Sequence, residues 1–211
     1  MNMQTTAAAW RVAALTRLAA GELSTTLDEG DTAQWVEAAA GCGIAEAQMT
    51  LGHMLLAGDG IGPDPRAAFA CFLCAADNGD AGGHAMLGHC LENGRGTEKD
   101  LPAAAGHYRR AATLGHAGAM NSLGRCHEAG IGMAPNRLLA RAWYRRSAKA
   151  GDFHGAYNYA TMIAAEGCIA GALHWFGRAL LGAPEPDRGD MVTALSSHKI
   201  IALRALAAHA R

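Results

Sequence analysis

The sequence predicts an all-α protein assembled from tandem helix–turn–helix units, and three observations carry that prediction. Half of the 211 residues are hydrophobic but only 6% are aromatic, so the apolar content is largely Ala and Leu, the residues of closely packed helices. One phrase returns every 36 residues, as LGHMLLAGDG at 51–60, LGHCLENGRG at 87–96 and LGRCHEAGIG at 123–132. Glycines punctuate each copy twice and divide it into two helical stretches.

Each recurring position has a physical job. In the first helix, Leu51 and Leu55 share a face with Gly52 between them, where a missing side chain lets a neighbouring helix approach closely. Leu87–Gly88 and Leu123–Gly124 repeat the arrangement. The pairs Gly58/Gly60, Gly94/Gly96 and Gly130/Gly132 end that helix, because Gly accepts the left-handed conformation of a C-terminal cap. Asp64, Asp100 and Asn136 then suit the N-cap of the second helix, with Pro65 and Pro102 in its opening turn. Ala68, Phe72 and Ala76 recur along it as Ala104, Tyr108, Ala112 and as Ala140, Tyr144, Ala148, and Gly79, Gly115 and Gly151 close it.

These marks define units over 45–80, 81–116 and 117–152. Extended backwards, the frame finds Leu15, Asp28, Val36, Ala40 and Gly43 at the matching places, a degenerate repeat over 9–44 that would cap the array. Extended forwards, Tyr159–Ala160 replaces Leu-Gly, the GxG turn is gone, and ALHWFGRALLG at 172–182 aligns with RAWYRRSAKAG at 141–151, giving a shortened unit over 153–182. The array thus occupies 1–186. After the break APEP, residues 187–211 are expected as a single capping helix with apolar positions at Met191, Leu195, Ile200, Leu203 and Leu206.

The pattern A-x-x-x-LG-x-x-x-x-x-G-x-G-x-x-x-D-x-x-x-A-x-x-W/Y-x-x-A-A-x-x-G resembles the Sel1-like repeat, a relative of the tetratricopeptide repeat, over about residues 9–182. The resemblance implies a right-handed α-solenoid with a concave groove. It also implies an adaptor or regulator of bacterial signalling and assembly, not a particular partner.

Bulk properties narrow the function further. With 18 Lys+Arg against 19 Asp+Glu, the formal charge of −1 sets up no field for nucleic acid or anionic lipid. Arg11 and Arg17 interrupt the N-terminal apolar residues, leaving neither a secretory core nor a membrane-spanning segment, so a cytoplasmic protein is expected. The six Cys make no paired pattern in the repeat frame, which fits a reducing compartment. CFLC at 71–74 has the spacing of half a zinc knuckle, but it falls within a helix around the core position Phe72 and no second pair follows, so it reads as helix packing. Cys90 and Cys126, at one position in successive repeats, read as core. GDGIG and GRGTE follow helices and not strands, which makes them turns and not phosphate cradles. No nucleophile elbow, HExxH or paired-carboxylate motif is present, so no catalytic residue, cofactor or metal is expected.

Counting from the Leu-Gly face places Glu46, Met49, His53 and Leu56 on one stripe of the first helix. The following stripes hold Ala85, His89 and Glu92, then Asn121, Arg125 and Glu128, then His154, Tyr157 and Thr161. By analogy with the tetratricopeptide fold these line the groove and offer a charged, hydrogen-bonding surface to a partner protein or peptide; a merely solvated concave face is the competing reading. One zinc cannot bridge His53 and His89 across successive repeats, because two ligands of one ion lie within about 4 Å of each other. Arg109–Arg110, Arg141, Arg145–Arg146 and Lys149 form a basic edge on the second helices, either a solvated convex face or a dock for an acidic partner. The expected function is therefore a non-enzymatic interaction scaffold. Two alternatives come from the resemblance: an accessory role in iron–siderophore uptake, and weak β-lactamase-like hydrolysis of the kind ascribed to cysteine-rich relatives.

Overall fold

The computed structural model describes residues 33, 36, 37, 39–41 and 43–209. Among them there is no strand, and the chain forms consecutive helix pairs of the α-solenoid class. The first helix and capping Asp expected of the degenerate repeat, with Leu15 and Asp28, lie outside the described residues. Two compact units can be distinguished, Met1–Ala111 and Ala112–Arg211.

In the first unit, α1 (Ala45–Ala57) packs on α2 (Pro65–Asp77), which packs on α3 (Ala81–Asn93); α4 begins at Leu101 and runs to Thr113. The elements start and stop where local chemistry requires. Gly58 and Gly94 cap α1 and α3 in the left-handed region, at φ 75° and 70°. The Asp64 carboxylate accepts the Arg66 and Ala67 backbone N–H groups at 2.9 and 3.0 Å with Pro65 in the first turn, and Asp100 accepts from Ala103 at 2.9 Å. Each turn is pinned back to its own first helix, with Asp64 N–H donating to Leu55 C=O and Asp100 N–H to Leu91 C=O, both at 2.9 Å.

The small residue after each Leu has a defined neighbour. A Cβ at Gly52 would lie 2.5 Å from the Phe72 ring, and one at Gly88 would lie 2.7 Å from the Tyr108 ring. The close approach is therefore an aromatic side chain of the second helix lying flush on the first, within one repeat. Phe72 and Leu87 are fully buried, and Tyr108 nearly so. Upstream, Val36 and Ala40 are buried, and Gln48 Nε2 donates to Ala40 C=O at 3.3 Å while Asn78 Nδ2 donates to Gln48 Oε1 at 3.1 Å.

In the second unit, α5 (Ala117–Ala129) and α6 (Arg137–Lys149) repeat the scheme, with Gly124 beneath Tyr144 and Asn136 accepting the Leu139 N–H at 3.0 Å. α7 (Phe153–Ala165) packs on α6 and α5, and α8 (Ile169–Gly182) packs on α7. The expected register of α8 is off by one residue. Ala172, Phe176, Ala179 and Leu180 are buried, matching Ala140, Tyr144, Ser147 and Ala148, so Phe176 and not Trp175 takes the aromatic core position. The expected register would have put Arg178 at the place of the fully buried Ser147, and an unpaired buried guanidinium is prohibitive.

The closing segment is two helices and not one, α9 (Asp187–Ser196) and α10 (Ile201–His209), joined through a turn in which His198 Nδ1 accepts the Ile200 N–H at 3.2 Å. The reason is legible in the spacing: Leu195 and Ile200 are five residues apart, so a straight helix would not hold both on one face. Met191, Val192, Leu195, Leu203 and Ala207 join the core of α6–α8. No helix among the described residues is long and apolar enough to cross a membrane.

Candidate interaction surface

The first-helix stripes divide into outward and internally engaged residues. In the first unit, Glu46, His53 and His89 are exposed. His53 also sets its ring edge-on to Phe72, 5.5 Å between centroids. Met49 is half-buried against the core around Phe72 and Leu87. Glu92 is tied into its own repeat, accepting the Tyr108 hydroxyl at 2.8 Å. In the second unit, Glu128 accepts the Tyr144 hydroxyl at 2.7 Å in the same way, and burial together with that bond pushes the Tyr144 phenol far above its usual range. Asn121 Oδ1 accepts from Asn158 Nδ2 at 2.9 Å, and Arg125 is half-buried. His154 is exposed, stacked on Phe153 and 4.0 Å from carboxylate oxygens of both Asp152 and Asp187. Tyr157 packs edge-on against Phe176 at 5.2 Å, and its phenol is also raised by burial.

The basic residues are exposed on the second helices, as the alternative surface requires. Arg141 pairs with Glu166 at 3.3 Å, and Arg146 lies 4.5 Å over the Trp143 ring. Beside them, Leu138 is 78% exposed, an apolar residue on the outside of α6 that the repeat pattern did not single out.

The described cysteines, Cys71, Cys74, Cys90, Cys126 and Cys168, are free thiols. Cys90 and Cys126 are fully buried, and burial raises the Cys90 thiol. The packing expected for CFLC holds for Phe72 and in part for Cys71, but Cys74 is exposed. Cys74 stands two residues beyond the buried Phe72, roughly 200° round α2, and so faces solvent.

A feature that sequence spacing does not reveal lies within the repeat 81–116. His84 on α3 and His107 on α4 face one another with Nδ1 atoms 3.2 Å apart. They open into a cleft of about 510 Å³ lined by Ala76, Asp77, Ala103, Gly106 and Arg110. Burial lowers the pKa of both imidazoles; Arg110 lowers them further, while Asp77 and Asp80 act in the opposite sense on His84. The two residues are 23 positions apart on different helices, so no motif links them. Among the described residues, no set of three or more His, Cys, Asp or Glu gathers as a metal cage.

The family model described as Sel1 repeat matches residues 45–80, 81–116 and 117–152, just over half of the chain. A Sel1 repeat protein from Oxalobacter formigenes is 24% identical and superposes with a TM-score of 0.68, over 73% of this chain and 63% of its own. A protective antigen of uropathogenic Escherichia coli with an SLR fold is 21% identical with a TM-score of 0.68, over 86% of this chain and 42% of its own. An immunity protein from Pseudomonas aeruginosa is 18% identical with a TM-score of 0.59, over 95% of this chain and 75% of its own. The chain therefore spans less than two thirds of the first two structures, and these likenesses concern the fold. No curated protein matches the chain.

Proposed function

The chain belongs to the Sel1 repeat family, and from that premise we propose that it is a non-enzymatic interaction module that binds a partner protein or peptide along the outward face of its first helices. One observation carries the reading. The residues that build the repeat recur in kind and are consumed by packing, as with Gly88 under Tyr108, whereas the surface row of the first helices differs between units, as His53, His89 and Arg125. Uniform inside and varied outside is the pattern of a scaffold whose surface is specialised for a ligand. The free thiols suit a reducing compartment, the cytoplasm.

Within the first helices, Glu46, His53 and His89 are the contact residues of this reading, with Asn121, Arg125 and His154 in the second unit. Glu92 and Glu128 act as clamps on Tyr108 and Tyr144. The test is affinity capture from a lysate of the source organism with wild type and a Glu46→Ala, His53→Ala, His89→Ala variant of equal melting temperature. A protein held only by wild type, then bound in purified form at least tenfold more tightly by wild type than by the variant, is the expected result. Identical capture by both forms removes this surface.

A further inference from the structure

We propose that His84 and His107 form a two-histidine binding site for a divalent transition-metal ion that favours imidazole, such as Cu²⁺, Ni²⁺ or Zn²⁺, with water from the adjoining cleft completing its coordination. The separation of the two nitrogens already suits one shared ion. With metal–nitrogen bonds of about 2.0–2.1 Å, an Nδ1–Nδ1 separation of 3.2 Å gives a ligand–metal–ligand angle of roughly 100–105°, close to tetrahedral. Imidazole is mostly uncharged at neutral pH and is the side chain these ions prefer. Both rings would bind as the Nε2–H tautomer, so a proton carried by either Nδ1 moves to the other nitrogen of its own ring and none is released.

The surroundings leave room for the ion. A Cβ added at Gly106 meets nothing within 4 Å, and the neighbouring wall is Ala76 and Ala103. The charges facing the pair are the carboxylates of Asp77 and Asp80 and the guanidinium of Arg110. Two carboxylates against one cation leave the locality no worse than neutral for a bound ion.

The fold itself does not call for these histidines. One repeat earlier the same two positions hold Gln48 and Cys71, and one repeat later Met120 and Trp143. Gly106 is likewise peculiar to this unit, since Ala70 and Ala142 stand in its place in the neighbouring repeats. A paired ligand set and an opened wall therefore occur together in one repeat only among 45–80, 81–116 and 117–152.

The experiment is calorimetric titration of tag-free, chelator-treated protein with Ni²⁺ and with Zn²⁺, accompanied by long-range ¹H–¹⁵N imidazole spectra. Wild type and a His53→Ala, His89→Ala variant are expected to bind one equivalent. His84→Gln and His107→Gln should each weaken binding at least tenfold while retaining a folded circular-dichroism spectrum. In wild type, metal should move the Nδ1 resonances of His84 and His107 and leave both rings protonated at Nε2. Absence of binding, binding that survives both glutamine variants, or binding lost with His53 and His89 overturns the proposal. Should a glutamine variant unfold, the wild-type spectra decide: metal-induced shifts confined to other histidines overturn it.

Discussion

Glu128 illustrates how one residue's role depends on a single partner. Its carboxylate accepts the Tyr144 hydroxyl at 2.7 Å, and Glu92 holds Tyr108 in the same way at 2.8 Å. In the repeat 45–80 both ends of that contact change together: Phe72 has no hydroxyl, and Leu56 packs on the same core where the carboxylates stand. Phenol with carboxylate or ring with Leu satisfies the site; a buried phenol facing Leu does not. Glu128→Leu should therefore cost about 1–2 kcal/mol, and adding Tyr144→Phe to that variant should recover much of it. A double-mutant cycle by urea denaturation checks this, and additive single effects would show that the hydrogen bond contributes nothing. The stripe count places Glu128 on an outward face, and by exposure it is there; the reach of the tyrosine from the next helix is what sequence spacing alone cannot convey.

At the scale of the element, α2 and α6 begin where a capping side chain fixes them, and α8 begins without one. α2 and α6 start at Asp64 and Asn136, whose side chains bind the first free N–H groups. α8 follows Cys168, which makes no side-chain cap. Its register is instead decided by burial, and the winning register buries Phe176 and Leu180 while leaving Arg178 exposed near the Trp175 ring, 5.4 Å from its centroid. Phe176→Ala should accordingly cost about 3–5 kcal/mol, whereas Trp175→Ala, which removes a half-buried ring against Tyr159, should cost clearly less. Thermal melts of the two variants decide it, and the reverse order would restore the alignment drawn from sequence. The repeats themselves were legible because their turns and close contacts demand Gly, Asp and aromatics at fixed places. The His84–His107 cleft was not, because its two halves come from helices whose mutual rotation no local pattern records.

For the molecule as a whole, a chain of stacked helix pairs draws its stability from neighbours, so an end must be covered by something other than another repeat. In the second unit α9 and α10 pack on α8: Leu195 and Leu203 are almost fully buried, and Met191, Val192 and Ala207 join them in the core that contains Phe176 and Leu180. The sequence marked the segment as a cap by its apolar positions, and the five-residue step from Leu195 to Ile200 marks where one helix becomes two. Removing 187–211 should uncover α8 on the side that α9 and α10 protect, and in a nearest-neighbour array the loss is greatest there and smaller at α5. Hydrogen exchange on the truncated chain is expected to speed up first in α8, then in α7, with the amides of α5 and α6 least affected. Unchanged protection of α8 would mean that the two helices are carried by the unit without stabilising it, and uniform loss across α5–α8 would mean that the unit folds as one cooperative block and not as an additive stack.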